Sequence, residues 1–393
     1  VRVGRAESGR VPATTPGHLL ALIRSRPVWT RQELLDATGM SRPTLLARLA
    51  ALVSAGLVYE SGSASSTGGR PAQLIRFDDR ELLVLTLDIG QTRAAVSVTD
   101  IHGRELACAR RPVNAFEDAP DDLLGPLLAE GERLLAETGR GRLVGVGMSL
   151  PAPIRPDTGL PHTVWTMPRW RDYPIPQRIA ALWDVPLVLE NDARAMALGE
   201  AGVDDANTLL AVKWSSGIGA GLVIGGECLV GEDGAAGDIG HLRVGRGTRR
   251  CRCGQRGCLA AYASGYALVT SLRLRSVDEL AERARARDER VCAALSEAAE
   301  LVGVALASMI TMVNPGVLVL NGTIGVLPGI VTRVGRTLRA TALSRSTENL
   351  RVVSSGLGER AVTTGLAQLV ANRVLHPDAV DESLAAGSPP AHG

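Results

Sequence analysis

Three stretches of apolar residues at helical spacing open the chain, and two short extended stretches follow. Leu19, Leu20, Leu22 and Ile23 make the first stripe. Thr30 caps a second helix through Glu33, Leu34 and Leu35, with Glu33 at the capping-box position. Gly39 predicts a tight turn. Ser41 then caps a third helix in which Leu45, Leu46, Leu49, Leu52 and Val53 are expected to face inward. Pro43 is compatible with that helix because it falls in the first turn. The opposite face carries Arg42, Thr44 and Arg48 toward its N-terminal end. A strand over Leu57–Glu60, a Gly/Ser-rich loop through Arg70-Pro71 and a strand over Gln73–Phe77 complete a hairpin. Together these elements predict a winged helix-turn-helix over residues 17–79, with the hairpin as the wing. The alternative is a small helical bundle that caps a larger domain. Residues 1–16, small, polar and Arg-bearing, are expected to be a flexible arm.

From Glu81 to His376 strands and helices alternate, which predicts an α/β domain over residues 81–376. Leu82–Asp88, Ala94–Val98, Leu143–Met148, Leu187–Leu189 and Leu209–Lys213 read as strands. Ser215-Ser216-Gly217-Ile218-Gly219-Ala220-Gly221 reads as a Gly-rich turn between strands. A strand-turn-strand opening therefore occurs twice, after Asp88 and after Lys213, which suggests a duplicated domain with a cleft between the copies. Residues 301–332 carry no charged side chain, long enough to imitate a membrane span. Asn314-Pro315-Gly316 interrupts the run, so it reads as a buried helix ending near Val313 and a buried strand over Gly316–Leu320. The Ser/Pro/Ala/Gly-rich segment 377–393 is expected to be a disordered tail.

Charge changes this picture once it is divided. The chain of 393 residues has 43 basic and 41 acidic side chains, a net +2 that argues against a nucleic-acid partner. Residues 1–80, however, hold eleven arginines against six acids, or +5, which leaves 2 minus 5, or −3, for the rest. A basic reader on a mildly acidic body is the better description. Six cysteines are too few for a disulfide scaffold, and no N-terminal stretch resembles a signal peptide, so a cytoplasmic location and no membrane are expected.

The strongest local chemical pattern is His241 followed by Cys251, Cys253 and Cys258. Three thiolates and one imidazole suit tetrahedral zinc, and four protein ligands leave no open position, so the ion would be structural. A redox-active thiol pair and three unrelated cysteines are the alternatives. Asn191-Asp192 follows an apolar strand and precedes a helix-forming stretch, where a general base or a sugar-hydroxyl acceptor would sit over a cleft. A helix N-cap explains the same residues equally well. Asp238 adds a second carboxylate three residues before His241, which as a metal-bound imidazole would both anchor the ion and offer its other ring nitrogen to a ligand.

This combination resembles the ROK family (repressors, open reading frames and sugar kinases), in its repressor branch with an N-terminal winged helix-turn-helix. The matching stretches are residues 67–72 in the wing, Asp88-Ile89-Gly90-Gln91-Thr92, Glu190-Asn191-Asp192-Ala193, Gly217-Ile218-Gly219-Ala220-Gly221, residues 234–241 and the cysteine cluster. The resemblance implies a two-lobed actin-like ATPase fold, a structural zinc, and sugar and ATP in the interlobe cleft. It implies phosphate loops at Asp88, Gly90 and Thr92 and at Gly217, Gly219 and Gly221, and it makes Asp192 the general base of a kinase. It also places Arg70 of the wing near a minor groove.

Departures from the kinase pattern run in one direction. Gln91 and Ser215-Ser216 replace small residues of the phosphate loops, Asn321-Gly322-Thr323-Ile324-Gly325 is poor in glycine on the adenosine side, Asp238 stands for a Glu, and Ala260 for a sugar-binding Glu. ATP binding and kinase activity are therefore doubtful. The reading is a transcriptional regulator, expected to be a repressor, that binds operator DNA through Ser41, Arg42, Thr44, Arg48 and Arg70. A sugar effector would lie on Asn191, Asp192, Asp238 and His241, in a homodimer or homotetramer. The rival is an ATP-dependent, glucokinase-like sugar kinase with an appended DNA-binding domain.

Overall fold

The computed structural model describes residues 15–63, 73–139, 141–162, 167–244 and 247–387. The N-terminal unit contains α1 (Pro16–Arg24), β1 (Trp29–Thr30), α2 (Arg31–Thr38), α3 (Arg42–Ser54), β2 (Val58–Ser63) and β3 (Gln73–Phe77). Its caps are those the sequence predicts. Thr30 and Glu33 form a capping box on α2, Gly39 ends it at φ 70°, and Ser41 caps α3. The sheet has three strands, in the order β1-β3-β2, because Trp29 and Thr30 add to the hairpin. Leu45, Leu49 and Leu52 face inward, whereas Leu46 and Val53 are 39% and 45% exposed. The inward stripe of α3 is thus narrower than its composition suggests.

The first lobe contains β4 (Leu82–Ile89), β5 (Arg93–Asp100), β6 (Glu105–Pro112), α4 (Pro120–Thr138), β7 (Arg142–Leu150), α5 (Ile175–Ala180) and β8 (Leu187–Asn191). Helix α6 (Asp192–Ala201) leads to the second lobe. That lobe has β9 (Thr208–Trp214), β10 (Ile218–Ile224), β11 (Glu227–Cys228), α7 (Ala260–Ala263), α8 (Gly265–Leu272), α9 (Val277–Arg285), α10 (Glu289–Val313) and β12 (Val317–Asn321). After it come α11 (Gly322–Gly325), α12 (Ile330–Thr341), α13 (Ser344–Thr347), β13 (Arg351–Ser354), α14 (Arg360–Val374) and α15 (Pro377–Ala385). The sheets run β6-β5-β4-β7-β8 and β11-β10-β9-β12-β13, the same order in each lobe. The duplication read from the two strand-turn-strand openings is therefore a duplication of whole sheets. Helix α10 is long and apolar enough to cross a membrane by length and composition. Val302, Leu306 and Ile310 pack it into the second-lobe core instead, and Asn314 ends it in the left-handed region at φ 48°.

Strand β4 reads as a continuous apolar run because both its faces are covered. Leu83, Leu85 and Leu87 point into the first-lobe core; Leu82 and Val84 share a second core with Leu19, Leu20, Ile23 and Leu52 of the N-terminal unit. The winged unit is thus fused to the first lobe through a common core. Segment 377–393 corrects the expectation of a disordered tail, because Pro377–Ala385 forms α15 against α1. Val380 is fully buried, and the Asp381 carboxylate accepts the Gly17 backbone N–H at 2.7 Å, satisfying a donor that the first turn of α1 leaves open. Residues 388–393 lie outside the described residues. Pro16, assigned above to the arm, is the first residue of α1; residues 1–14 lie outside the described residues. Deleting residues 377–393 should destabilise the protein by about 2–4 kcal/mol, the sum of one buried aliphatic side chain and one charge-assisted bond. Urea unfolding of the full and shortened chains measures it.

Candidate functional site: recognition helix, interlobe cleft and metal centre

The exposed face of α3 presents Arg42, Thr44, Leu46 and Ala47, with Arg48 half-buried behind them. The Ser41 and Thr44 hydroxyls are 2.7 Å apart, and the Arg48 guanidinium approaches the Met40 sulfur at 3.8 Å. Arg70 lies outside the described residues.

In the cleft, strand β8 delivers Asn191 to the start of α6. Its Oδ1 accepts the Ala193 and Arg194 N–H groups and its Nδ2 donates to the Ala152 carbonyl, so the amide is occupied as a helix cap. Asp192, one residue into the helix, is left to face the cleft. Lys213, at the end of β9, donates to Asp192 Oδ2 at 2.8 Å. The two side chains are 21% and 15% exposed. Burial works against the Lys213 ammonium, but Asp192 and Asp88 outweigh it and hold its pKa above the ordinary lysine value. Burial pushes the Asp88 carboxyl up, opposed by the same ammonium and by Ser149, whose hydroxyl donates to it at 2.6 Å. Asp238 feels Asp192 and His241; burial raises its carboxyl and lowers the His241 imidazole. Asp88, Asp192, Lys213 and Asp238 therefore form one electrostatic group.

Sequence reasoning missed two members of this site. Arg194, fully buried, pairs with Glu190 and donates to the Gly234 carbonyl, anchoring the loop that carries Asp238. The other is Lys213. Its signal was available, since it is the only lysine in the chain, leaving 43 minus 1, or 42, arginines.

The two phosphate-loop candidates meet across the cleft. Gly90 closes the β4–β5 turn through a bond to the Arg93 carbonyl, and Thr92 Oγ1 lies 3.4 Å from Ser216 Oγ. A Cβ on Gly217 would lie 3.2 Å from the Gln91 amide nitrogen, so the Gln91 side chain fills the space between the turns. The predicted Gly-rich turn is shorter than expected. Ile218 begins β10, so Gly219 and Gly221 are strand residues. A Cβ on Gly221 would come within 2.4 Å of Ala197 and 2.9 Å of the Ala193 carbonyl, and one on Gly219 within 3.2 Å of Ala193. These glycines let α6 lie close on the sheet. Beside the turns, Arg252 is sandwiched between Phe116 of the first lobe and Tyr266 of the second, at 4.7 and 4.4 Å from the ring centroids. Arg93 pairs with Asp278 across the same boundary.

His241, Cys251, Cys253 and Cys258 place their ligand atoms within 4.8 Å of one another. Cys253 and Cys258 sulfurs are 3.7 Å apart, as are Cys251 Sγ and His241 Nδ1. A zinc tetrahedron of sulfur and nitrogen ligands with bonds of about 2.0–2.3 Å has edges of about 3.5–3.8 Å, which these two separations match, so the donor set is compatible with zinc. Burial pushes the Cys258 thiol up to about 12 and raises Cys251 as well, so a bound cation is what would hold them as thiolates.

The sequence model of the ROK family matches residues 84–373. This chain belongs to the ROK family. The xylose repressor of Bacillus subtilis (strain 168) is 25% identical over 366 residues, covering 91% of this chain and 94% of the repressor. The crystal structure of a ROK family transcriptional regulator, a homologue of the E. coli MLC protein, superposes with a TM-score of 0.75 at 21% identity, over 96% of this chain and all of that one. The ROK hexokinase from Thermus thermophilus is 30% identical with a TM-score of 0.61, over 74% of this chain and 99% of its own. The ROK match begins at β4, and the winged unit precedes it.

If Gly219 and Gly221 serve helix packing, Gly221→Ala should cost about 1–3 kcal/mol, because backbone of α6 blocks the new methyl. Gly217→Ala should cost under about 1 kcal/mol, because only the end of Gln91 must move. Chemical denaturation of the two variants separates these outcomes.

Proposed function

We propose that this ROK protein is a sugar-responsive transcriptional repressor that reads operator DNA with α3 and binds its effector in the interlobe cleft. The observation that carries this reading is the winged unit itself, fused to the first lobe by a shared core. Similarity to a xylose repressor over 91% of the chain supports it, as does a recognition helix bearing two arginines on a surface free of lysine. Arg pairs bidentately with guanine edges, and exposed Leu46 adds an apolar contact suited to a thymine methyl. One recognition helix reads only a few base pairs, so the reading includes a homodimer or homotetramer.

A physical route joins the two ends. Asp192 begins α6, whose Gly199 packs on Ala361 and Gly365 of α14, and Val370 and Val374 of α14 lie in the core of the winged unit. Closure of the cleft on a sugar would move α6 against α14 and so reset the spacing of paired winged units. The reading gives structural zinc to His241, Cys251, Cys253 and Cys258. When bound, the ion would stabilise the loop that carries Arg252 to its place between the lobes. Similarity to a hexokinase over 74% of the chain favours the kinase rival; Gln91 between the turns and Lys213 on Asp192 oppose it.

Arg48→Ala should weaken binding to an operator selected by the protein itself by about 1–3 kcal/mol and relax base preference at one position. Arg42→Ala should weaken binding uniformly and lower the salt slope by about one. Fluorescence anisotropy over a salt series checks both, and unchanged affinity in both variants overturns the placement of the reading surface. Elemental analysis should give one zinc per chain, and Cys253→Ser should lose it with a lowered unfolding temperature. A metal-free native protein would remove zinc from the reading.

A further inference from the structure

Lys213 stands out by composition and by place. Every other basic position in the chain is arginine, so the lone lysine marks a position that arginine does not fill. A guanidinium is a broad planar fork, whereas an ammonium is a compact point charge on a slender stem. Lys213 occupies a strand otherwise packed in the core, in which Leu209, Leu210, Ala211, Val212 and Trp214 are buried. Its position has a counterpart in the first lobe. Asp88 pairs with Ala95 and Ser149 in the register in which Lys213 pairs with Gly219 and Asn321. The duplicated sheets thus bring an acid from one lobe and an ammonium from the other to the same cleft, with Asp192 bonded to the ammonium.

We propose that Lys213 is the resident cation of the cleft, a positioning residue that holds Asp192 as a fixed hydrogen-bond acceptor for a hydroxyl of an uncharged sugar and prevents it from acting as a general base. This rests on the sugar-sensing reading above and assigns its ligand class. To take a proton from a sugar hydroxyl, Asp192 would surrender its ion pair and leave a largely buried ammonium without that partner. The same ammonium keeps two donor hydrogens for neighbouring oxygens, so the pair offers an acceptor and a donor side by side. Asp88, Asp192 and Asp238 gather three carboxyl groups around the Lys213 ammonium, and the other cations that act on them, Arg194 and Arg110, are each paired with glutamates, Arg194 with Glu190 and Arg110 with Glu105 and Glu359. Such a surface repels a sugar phosphate and accepts a neutral polyol. The cleft therefore binds sugar without nucleotide and without turnover.

A single lysine makes the test direct. The 393-residue chain labelled only at lysine, with 15N at Nζ, gives one lysine side-chain signal in solution. D-Xylose or D-glucose should shift that signal saturably without nucleotide, D-glucose 6-phosphate should bind at least tenfold more weakly, and MgATP should change neither the isotherm nor release ADP. Lys213→Met and Lys213→Arg should each weaken binding of the sugar at least tenfold in calorimetry while operator binding persists. Unchanged sugar affinity in a variant that still binds operator, or ADP release by the native protein, overturns the role of Lys213 and leaves the sensor standing. Should both variants fail to fold, a lysine signal that stays fixed at saturating sugar overturns it. Absence of binding by the native protein to any neutral pentose, hexose or N-acetylhexosamine overturns the sensor reading, and this assignment with it.

Discussion

The contact between α6 and α14 is the constraint on which the arrangement of this molecule depends. A Cβ on Gly365 would fall 1.8 Å from the Ala195 carbonyl, and one on Gly199 would fall 2.0 Å from the Ala361 carbonyl. Backbone therefore meets backbone, with no flexible side chain between the helices to absorb a change. Each helix then carries something else. The N-terminus of α6 supplies Asp192 to the cleft, and its flank lies on Gly219 and Gly221 of the second sheet. The far end of α14 enters the core that holds the winged unit. Rigid contact of this kind passes a small displacement on, because tightly packed interiors are not continuously deformable.

The cleft combines groups that in isolation would each be unfavourable. A buried ammonium, a buried carboxyl and a helix-terminal carboxylate are tolerable together because the ammonium between them offsets both acids, which by themselves oppose each other. Their assembly also fixes what the site can do. The Asp192 carboxylate is engaged by the Lys213 ammonium, while Gln91 and the Thr92–Ser216 contact lie between the two turns. Outside the cleft, Arg252 stacks between rings from opposite lobes, and its loop belongs to the Cys3His cluster. The Cys3His cluster and the lobe contact are thus parts of one segment.

Local chemistry was legible in the residues themselves. The capping box at Thr30 and Glu33, the glycine turn at Gly39, the interruption at Asn314-Pro315-Gly316 and the cysteine spacing involve neighbours in the chain, so their physics is complete within a few residues. The sequence duplication likewise followed from two short openings. Less legible were features whose energy comes from a distant partner. Pro377–Ala385 is short, polar and weak as an isolated helix; it forms because Val380 and Asp381 find α1, more than 350 residues away in the chain. Leu46 and Val53 fit a helical stripe yet remain outside, since only the neighbouring elements decide how wide the covered face is.

By itself the sequence determined the classes of element, the division of charge between a basic N-terminal unit and an acidic body, the spacing of the His and Cys residues that cluster, and the family. Those properties depend on local spacing and residue type. Tertiary structure alone decided that the reader shares a core with the first lobe, and that Gly219 and Gly221 serve helix contact. It alone placed Asp88, Asp192 and Lys213 together. Three residues from separate strands and a helix become one charged group only when two sheets close around a cleft, and no spacing along the chain encodes that distance.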